Sequence, residues 1–213
     1  MKIFLDTPNL YDVERYKHFV DGVATVSPLT TERESSEQKN AIRKFCSMVS
    51  SHVILEVTSE QYENILKESN QLTAIHEKVC IKLPCTYDGF LICKRLSSSG
   101  IATNLASCFS PAQAILAAKC GATYLSVEIE KLNDNGCDSL AFLKEIAEIY
   151  KANNFETEIL STSIRNTQQV AQSAMIGVAV VQLPPKILQE CFEHPLIISE
   201  ASAITKNARE KTS

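Results

Sequence analysis

No stretch of this chain reaches the roughly eighteen consecutive apolar residues of a membrane-spanning helix. No membrane partner is expected. The opening MKIFLDTPNL meets an acid at Asp6 before a signal-like apolar run can form, so export is not expected either. Positive charge is scarce: 21 Lys and Arg stand against 25 Asp and Glu, for a formal net charge of −4, and the pI is near 5.6. That balance offers no basic face able to release counterions from a phosphate backbone, which argues against nucleic acid as the main partner. Small anions remain open, because they need only a local cluster of cations. Two spacings are also missing. There is no CxxC and no paired His beside the cysteines, so no metal site is expected. No GxGxxG follows the first apolar run, which reads DTPNL, and this weighs against an open dinucleotide-binding sheet.

Cysteine itself is plentiful. Eight occur, at Cys46, Cys80, Cys85, Cys93, Cys108, Cys120, Cys137 and Cys191. Several sit inside apolar runs ("KVCIKL", "ASCFS", "AAKCGA"), where the thiol behaves as a small hydrophobe. A chain of 213 residues, 45% of them hydrophobic, can build its own core. It needs no disulfide framework, and the reduced thiols of a cytoplasmic protein are the expectation.

Short apolar runs alternate with longer helical patterns. Strand-like runs cover 2–6, 22–26, 53–57, 79–83, 101–107, 123–127, 156–161 and 177–183. Helical patterns follow at 9–19, in a region ending near Val49, and at 60–72 after Ser59 as cap. Further helices run from Thr86 to Ser98, from Ser110-Pro111 to a stop at Gly121, over 139–153, and from Asn166 to about Met175, before a last turn in PPKILQECF. Proline in a first turn and glycine after the last are the expected punctuation. Strand-then-helix repeats with buried Val- and Ile-rich strands imply a parallel sheet. Eight of them predict an α/β chain closed as a (β/α)8 TIM barrel. A single barrel domain is expected over 1–198, with 199–213 as a helical or flexible tail.

Active-site groups of such a barrel come from the C-terminal strand ends and the loops after them. Those ends carry Asp6, Thr25, Glu56, Lys82, Ser107, Glu128 with Lys131, Ser163 with Arg165, and Gln182. Any one of them is explicable as a turn former, cap or surface group. Lys82 differs through its neighbours. Side chains alternate along a strand, so Cys80, Lys82 and Pro84 share one face, and Val79, Ile81 and Leu83 the other. If the branched face packs on helices, Lys82 points into the barrel. There an ammonium is costly and the neutral amine is favoured, as attack on a carbonyl requires. Asp6 and Glu56 are the inward carboxylates able to hold it or relay protons.

With these residues in place, the chain resembles the small bacterial transaldolases and the related fructose-6-phosphate aldolases, to about Leu196. The resemblance is carried by FLDTPNL, GVATVSP, LEVTS, IKLPCTYDGF, GIATNLASCFSPAQAILAAKCGATYLS, TEILSTSIRN and PPKILQECFEHPL. It implies a (β/α)8 barrel, no metal or other cofactor, sugar-phosphate substrates, and class I aldol chemistry through a lysine Schiff base. It also implies ring-shaped homo-oligomers. Carried over residue by residue, the Schiff-base lysine is Lys82, the first-strand aspartate Asp6 and the acidic proton relay Glu56. Glutamine is the usual residue of the fructose-6-phosphate aldolases at that last position, so Glu56 favours a transaldolase. The phosphate-binding positions fall on Ser163, Arg165 and Lys131, where lysine replaces arginine and loses the bidentate fork. Thr25 and Ser107 complete the expected substrate contacts.

The chain departs from the family pattern at several places. TTNPS reads ATVSP here, so an asparagine that holds substrate hydroxyls becomes Val26. The fifth-strand threonine that positions a water becomes Ala106, with Ser107 adjacent and expected to point away. The aromatic after the sixth strand becomes Glu128, and the C-terminal helix is replaced by ASAITKNAREKTS. The implied activity is transfer of a three-carbon dihydroxyacetone unit between sugar phosphates, as in the pentose phosphate pathway. Three alternatives stand beside it: an aldolase-like lyase, a degenerate barrel with weak or no catalysis, and a Schiff-base enzyme taking a less hydroxylated or cationic carbonyl.

Overall fold

The strands β1 (Lys2–Asp6), β2 (Gly22–Thr25), β3 (Val53–Glu56), β4 (Val79–Pro84), β5 (Thr103–Ala106), β6 (Tyr124–Glu128), β7 (Glu158–Thr162) and β8 (Val180–Leu183) pair in chain order. All pairs are parallel, and β8 returns to β1 to close the barrel. This computed structural model describes residues 1–25, 36–59, 61–193 and 196–197. The connecting helices are α1 (Leu10–Tyr16), α2 (Ser36–Met48), α3 (Tyr62–Thr73), α4 (Tyr87–Ser97), α5 (Pro111–Cys120), α6 (Ile129–Asp134), α7 (Ser139–Asn153), α8 (Thr167–Ile176) and α9 (Pro185–Glu190). The (β/α)8 expectation holds. No helix among the described residues is long and apolar enough to cross a membrane.

Two apolar layers result from strand alternation. Phe4, Ala24, Ile54, Cys80, Tyr124, Leu160 and Val180 fill the barrel interior. Leu5, Val23, Val53, Val79, Ile81, Leu83, Leu105, Leu125 and Val181 face the helices in a second, larger cluster. Phe4 meets Tyr124 edge to face at 5.6 Å between centroids. All eight cysteines are free thiols and five are buried, in keeping with their apolar surroundings.

The punctuation that begins and ends the helices is largely as read. Thr86 accepts from the Gly89 N–H, Ser110 from Gln113 and Asn166 from Gln169. Gly121 closes α5 with φ of 78°. Ser59 is the exception. The helix starts only at Tyr62, after Gln61, and the Ser59 N–H instead donates to the Glu68 carboxylate at 3.0 Å. That carboxylate takes up the amides at the end of the β3 loop, so Ser59 belongs to the loop and not to the helix.

Five strands are shorter than their apolar runs or shifted along them: β3 and β6 by a single residue, and β5, β7 and β8 by more. β8 starts at Val180 because Gly177, at φ of 90°, is the left-handed cap of α8. β5 ends at Ala106 because Ser107 turns left-handed. β7 is displaced by two residues at its start, Thr157 being held out of the strand by a 2.7 Å hydrogen bond to the Ala122 carbonyl. Helix α6 has no counterpart in the sequence reading, since six residues without a side-chain cap fall below any periodic window. The end of the 22–26 run, including Val26, lies outside the described residues, as does the 199–213 tail.

Candidate active site at the barrel mouth

Cys80 packs in the interior while Ile81 and Leu83 pack on the helices. Lys82 is therefore on the inward face, one layer above Cys80, at the C-terminal mouth. Its parallel neighbours are Glu56 on β3 and Asn104 on β5. Lys82 Nζ lies 3.3 Å from Glu56 Oε2, with the lysine side chain 28% and the glutamate 44% exposed. Both line a cavity of about 380 Å³ with Val57, Ser59, Asp88 and Ser107. Both ends of the pair are partly open to solvent, the glutamate more than the lysine.

Asp6 ends β1 and reaches the same mouth. Burial raises its carboxyl above the ordinary aspartate value of 3.8, against a lowering hydrogen bond from Gln182 on β8 and the positive charge of Lys82. The charge of Lys82 thus acts on Asp6 as well as on Glu56. Gln182 is itself buried. These groups converge because their strands place every second residue inward and the barrel brings the eight ends together.

Thr25 does not join them. Ala24 is the inward residue of β2, and Thr25 shares the outward face of Val23. Thr25 is 4% exposed, and its hydroxyl has no hydrogen-bond partner among the described residues. Side-chain alternation along β2 places it behind the sheet. Ser107 moves the other way. Its φ of 58° swings the side chain back to the mouth, where Oγ donates to Glu128 Oε1 at 3.0 Å. The expectation that Ser107 points away assumed a continuing strand.

The cations of the opposite rim are paired. Lys131 lies 3.6 Å from Glu128 and stands over the Phe109 ring at 5.1 Å. Arg165 Nη1 donates to Glu130 Oε2 at 2.9 Å, and Nη2 to Asp134 Oδ2 at 2.9 Å. The hydrogen bond and charge of Asp134 raise the Arg165 pKa further. Ser163 is exposed, with φ of 59°, and shares that loop.

Two interior residues escaped the sequence reading. Asn104, beside Lys82, is buried and accepts a 2.9 Å hydrogen bond from Ser126 Oγ of β6. Inward phase alone marks both, and counting back two residues from Ala106 and Glu128 finds them. Among the described residues, no group of three or more His, Cys, Asp or Glu is placed to hold a metal ion.

The family model for Transaldolase/Fructose-6-phosphate aldolase matches residues 3–213. The chain belongs to this family. The "Probable transaldolase" of Bartonella tribocorum is 39% identical over 198 residues, covering 92% of this chain and 91% of that protein. The proteins of the same description from Sinorhizobium medicae and Rhizobium meliloti show the same identity and coverage. The family match runs beyond Leu196, where the sequence resemblance was expected to stop. A lysine among inward carboxylates at a barrel mouth is thus found within the transaldolase and fructose-6-phosphate aldolase family.

Proposed function

We propose that this chain is a cytoplasmic transaldolase that moves a dihydroxyacetone unit between sugar phosphates through a Schiff base on Lys82, the transfer used in the pentose phosphate pathway. The observation that carries this reading is the Lys82–Glu56 pair at 3.3 Å, inside the mouth and beside Asp6. The free amine of Lys82 attacks the ketose carbonyl carbon. The carbinolamine loses water, with Glu56 moving protons through solvent, to give the imine. Asp6 removes the proton of the hydroxyl on the leaving-side carbon of the scissile bond, the carbon that becomes the aldehyde. That carbon–carbon bond breaks, an aldehyde leaves, and its electron pair remains as a three-carbon enamine on Lys82.

The enamine carbon then adds to an acceptor aldehyde, Asp6 returns the proton to the new oxygen, and water releases the ketose from Lys82. In this reading the phosphate end falls to Ser163, Arg165 and Lys131, the positions the family resemblance assigns to it, with Ser107 as a further polar contact. Glu56, rather than glutamine, and the transaldolase descriptions of the relatives favour transfer over simple cleavage.

Incubation with fructose 6-phosphate followed by borohydride reduction tests the reading. Mass mapping is expected to place the reduced three-carbon adduct on Lys82, and Lys82→Ala is expected to take up none. An unmodified Lys82 after incubation with several ketose phosphates would sink it.

A further inference from the structure

The environment of Arg165 points to more than a phosphate anchor. Glu130 has both carboxylate oxygens engaged: Oε2 accepts from Arg165 Nη1 at 2.9 Å, and Oε1 accepts from Gln169 Nε2. The side-chain oxygen of Gln169 in turn accepts the Arg165 backbone N–H at 2.8 Å. One glutamine therefore fixes both the arginine's backbone and the carboxylate that faces its guanidinium. The Glu130 side chain is only 13% exposed, whereas Asp134 on the other side of Arg165 is 55% exposed.

The two carboxylates are not equivalent rivals for an incoming anion. An exposed partner is held weakly and gives way at little cost. A largely buried carboxylate stripped of its cation is left with an uncompensated charge, so it stays. Glu128, Glu130 and Asp134 against Lys131 and Arg165 leave this rim one charge negative. A phosphate dianion can replace Asp134 on Arg165, but it still faces the fixed charge of Glu130.

We infer that Glu130 is a specificity-determining residue that sets how strongly this site prefers phosphorylated substrates, weakening phosphate capture so that unphosphorylated hydroxy-aldehydes and ketoses compete with sugar phosphates. The inference rests on the reading of the mouth as an aldol-transfer site. Arg165 remains the anchor, and Glu130 sets the strength of its grip.

Calorimetric titration with glycerol 3-phosphate tests this directly, because the ligand has no carbonyl and its binding does not depend on imine formation. At fixed low ionic strength, Glu130→Gln is expected to bind it about tenfold more tightly than wild type, and Asp134→Asn no more than about threefold. The Glu130→Gln gain is expected to persist with Lys82→Ala and to vanish with Arg165→Ala. In turnover, the kcat/KM ratio of glyceraldehyde 3-phosphate to glyceraldehyde as acceptors should rise by a similar factor, through KM. Equal affinity of folded wild type and Glu130→Gln for glycerol 3-phosphate overturns the inference; Glu130→Ala gives the same comparison if the glutamine variant fails to fold. A failure to trap Lys82 would overturn the Schiff-base reading instead and leave the titration result standing.

Discussion

Ser107 Oγ donates to Glu128 Oε1 over 3.0 Å, and it does so from a left-handed backbone with φ of 58°. The link joins the ends of β5 and β6 and places a hydroxyl beside Ala106, where the family resemblance leads one to expect a threonine. A non-glycine residue in that region is strained by about 1 kcal/mol. A hydrogen bond of this kind returns roughly as much. Ser107→Ala is therefore expected to keep the strain, lose the bond and destabilise the fold by about 1 kcal/mol. Ser107→Gly loses both and should be close to neutral. Urea denaturation of the two variants checks the order, and a glycine variant less stable than the alanine one would show that the backbone is not strained there.

Asp6 gives the pH dependence of the proposed transfer. Its carboxyl is raised by burial and held back by the Gln182 hydrogen bond and the Lys82 charge. Only the ionised form can accept the hydroxyl proton, so kcat should climb as pH rises through the Asp6 pKa, which burial raises from its ordinary value. Gln182→Leu removes a lowering influence and should move that acid limb to higher pH. Asp6→Asn should cost about 10²- to 10⁴-fold in kcat. Profiles of kcat against pH for the three proteins decide it, and an unmoved limb in Gln182→Leu would detach the limb from Asp6.

How much of this was legible in the sequence depends on distance along the chain. The alternation of Val79, Cys80, Ile81 and Lys82 is local, and it puts Lys82 on the inward face. The same rule applied to β2 would have put Ala24 inward and Thr25 behind the sheet. The capture of Arg165 by Glu130 and Asp134 spans 35 and 31 residues. No period or motif encodes such a contact; it exists because β6 and β7 are neighbours and the turn of α6 directs its acids along the rim. The turn at Ser107 is not legible at all, because a left-handed serine leaves no compositional trace.

Gly89 is a case where the backbone requires a particular residue. A Cβ built at this position would lie 1.9 Å from the Pro84 carbonyl oxygen. The approach is this close because α4 turns back directly over the end of β4, with the Thr86 N–H donating to Pro84 at 2.8 Å and Thr86 Oγ1 accepting from Gly89. Gly89→Ala must push β4 and α4 apart, two residues from Lys82. The expected cost is about 3 kcal/mol, at the upper end for overpacking against an unyielding neighbour. Surviving folded protein should also show a raised KM. Thermal unfolding with steady-state kinetics measures both, and a variant as stable as wild type would mean that the helix start can shift freely.

At the opposite end of the barrel, His52 Nδ1 lies 2.8 Å from the Tyr124 hydroxyl, near the Lys2–Glu158 ion pair. Burial lowers the His52 pKa below 6.5; the charge of Lys2 lowers it further, Glu158 opposes, and Lys78 adds a smaller lowering. The unfolded chain then takes up a proton before the folded one does. Stability is fully present above about pH 6.5 and is lost as pH falls from there toward the folded value. Melting temperature should therefore drop between pH 7 and pH 5 in a phosphate–citrate series, and His52→Asn should flatten that slope while lowering the plateau. Tyr124→Phe should cost about 1 kcal/mol for the lost hydrogen bond. If the His52→Asn slope matches wild type through this range, the floor of the barrel is not where its acid sensitivity resides.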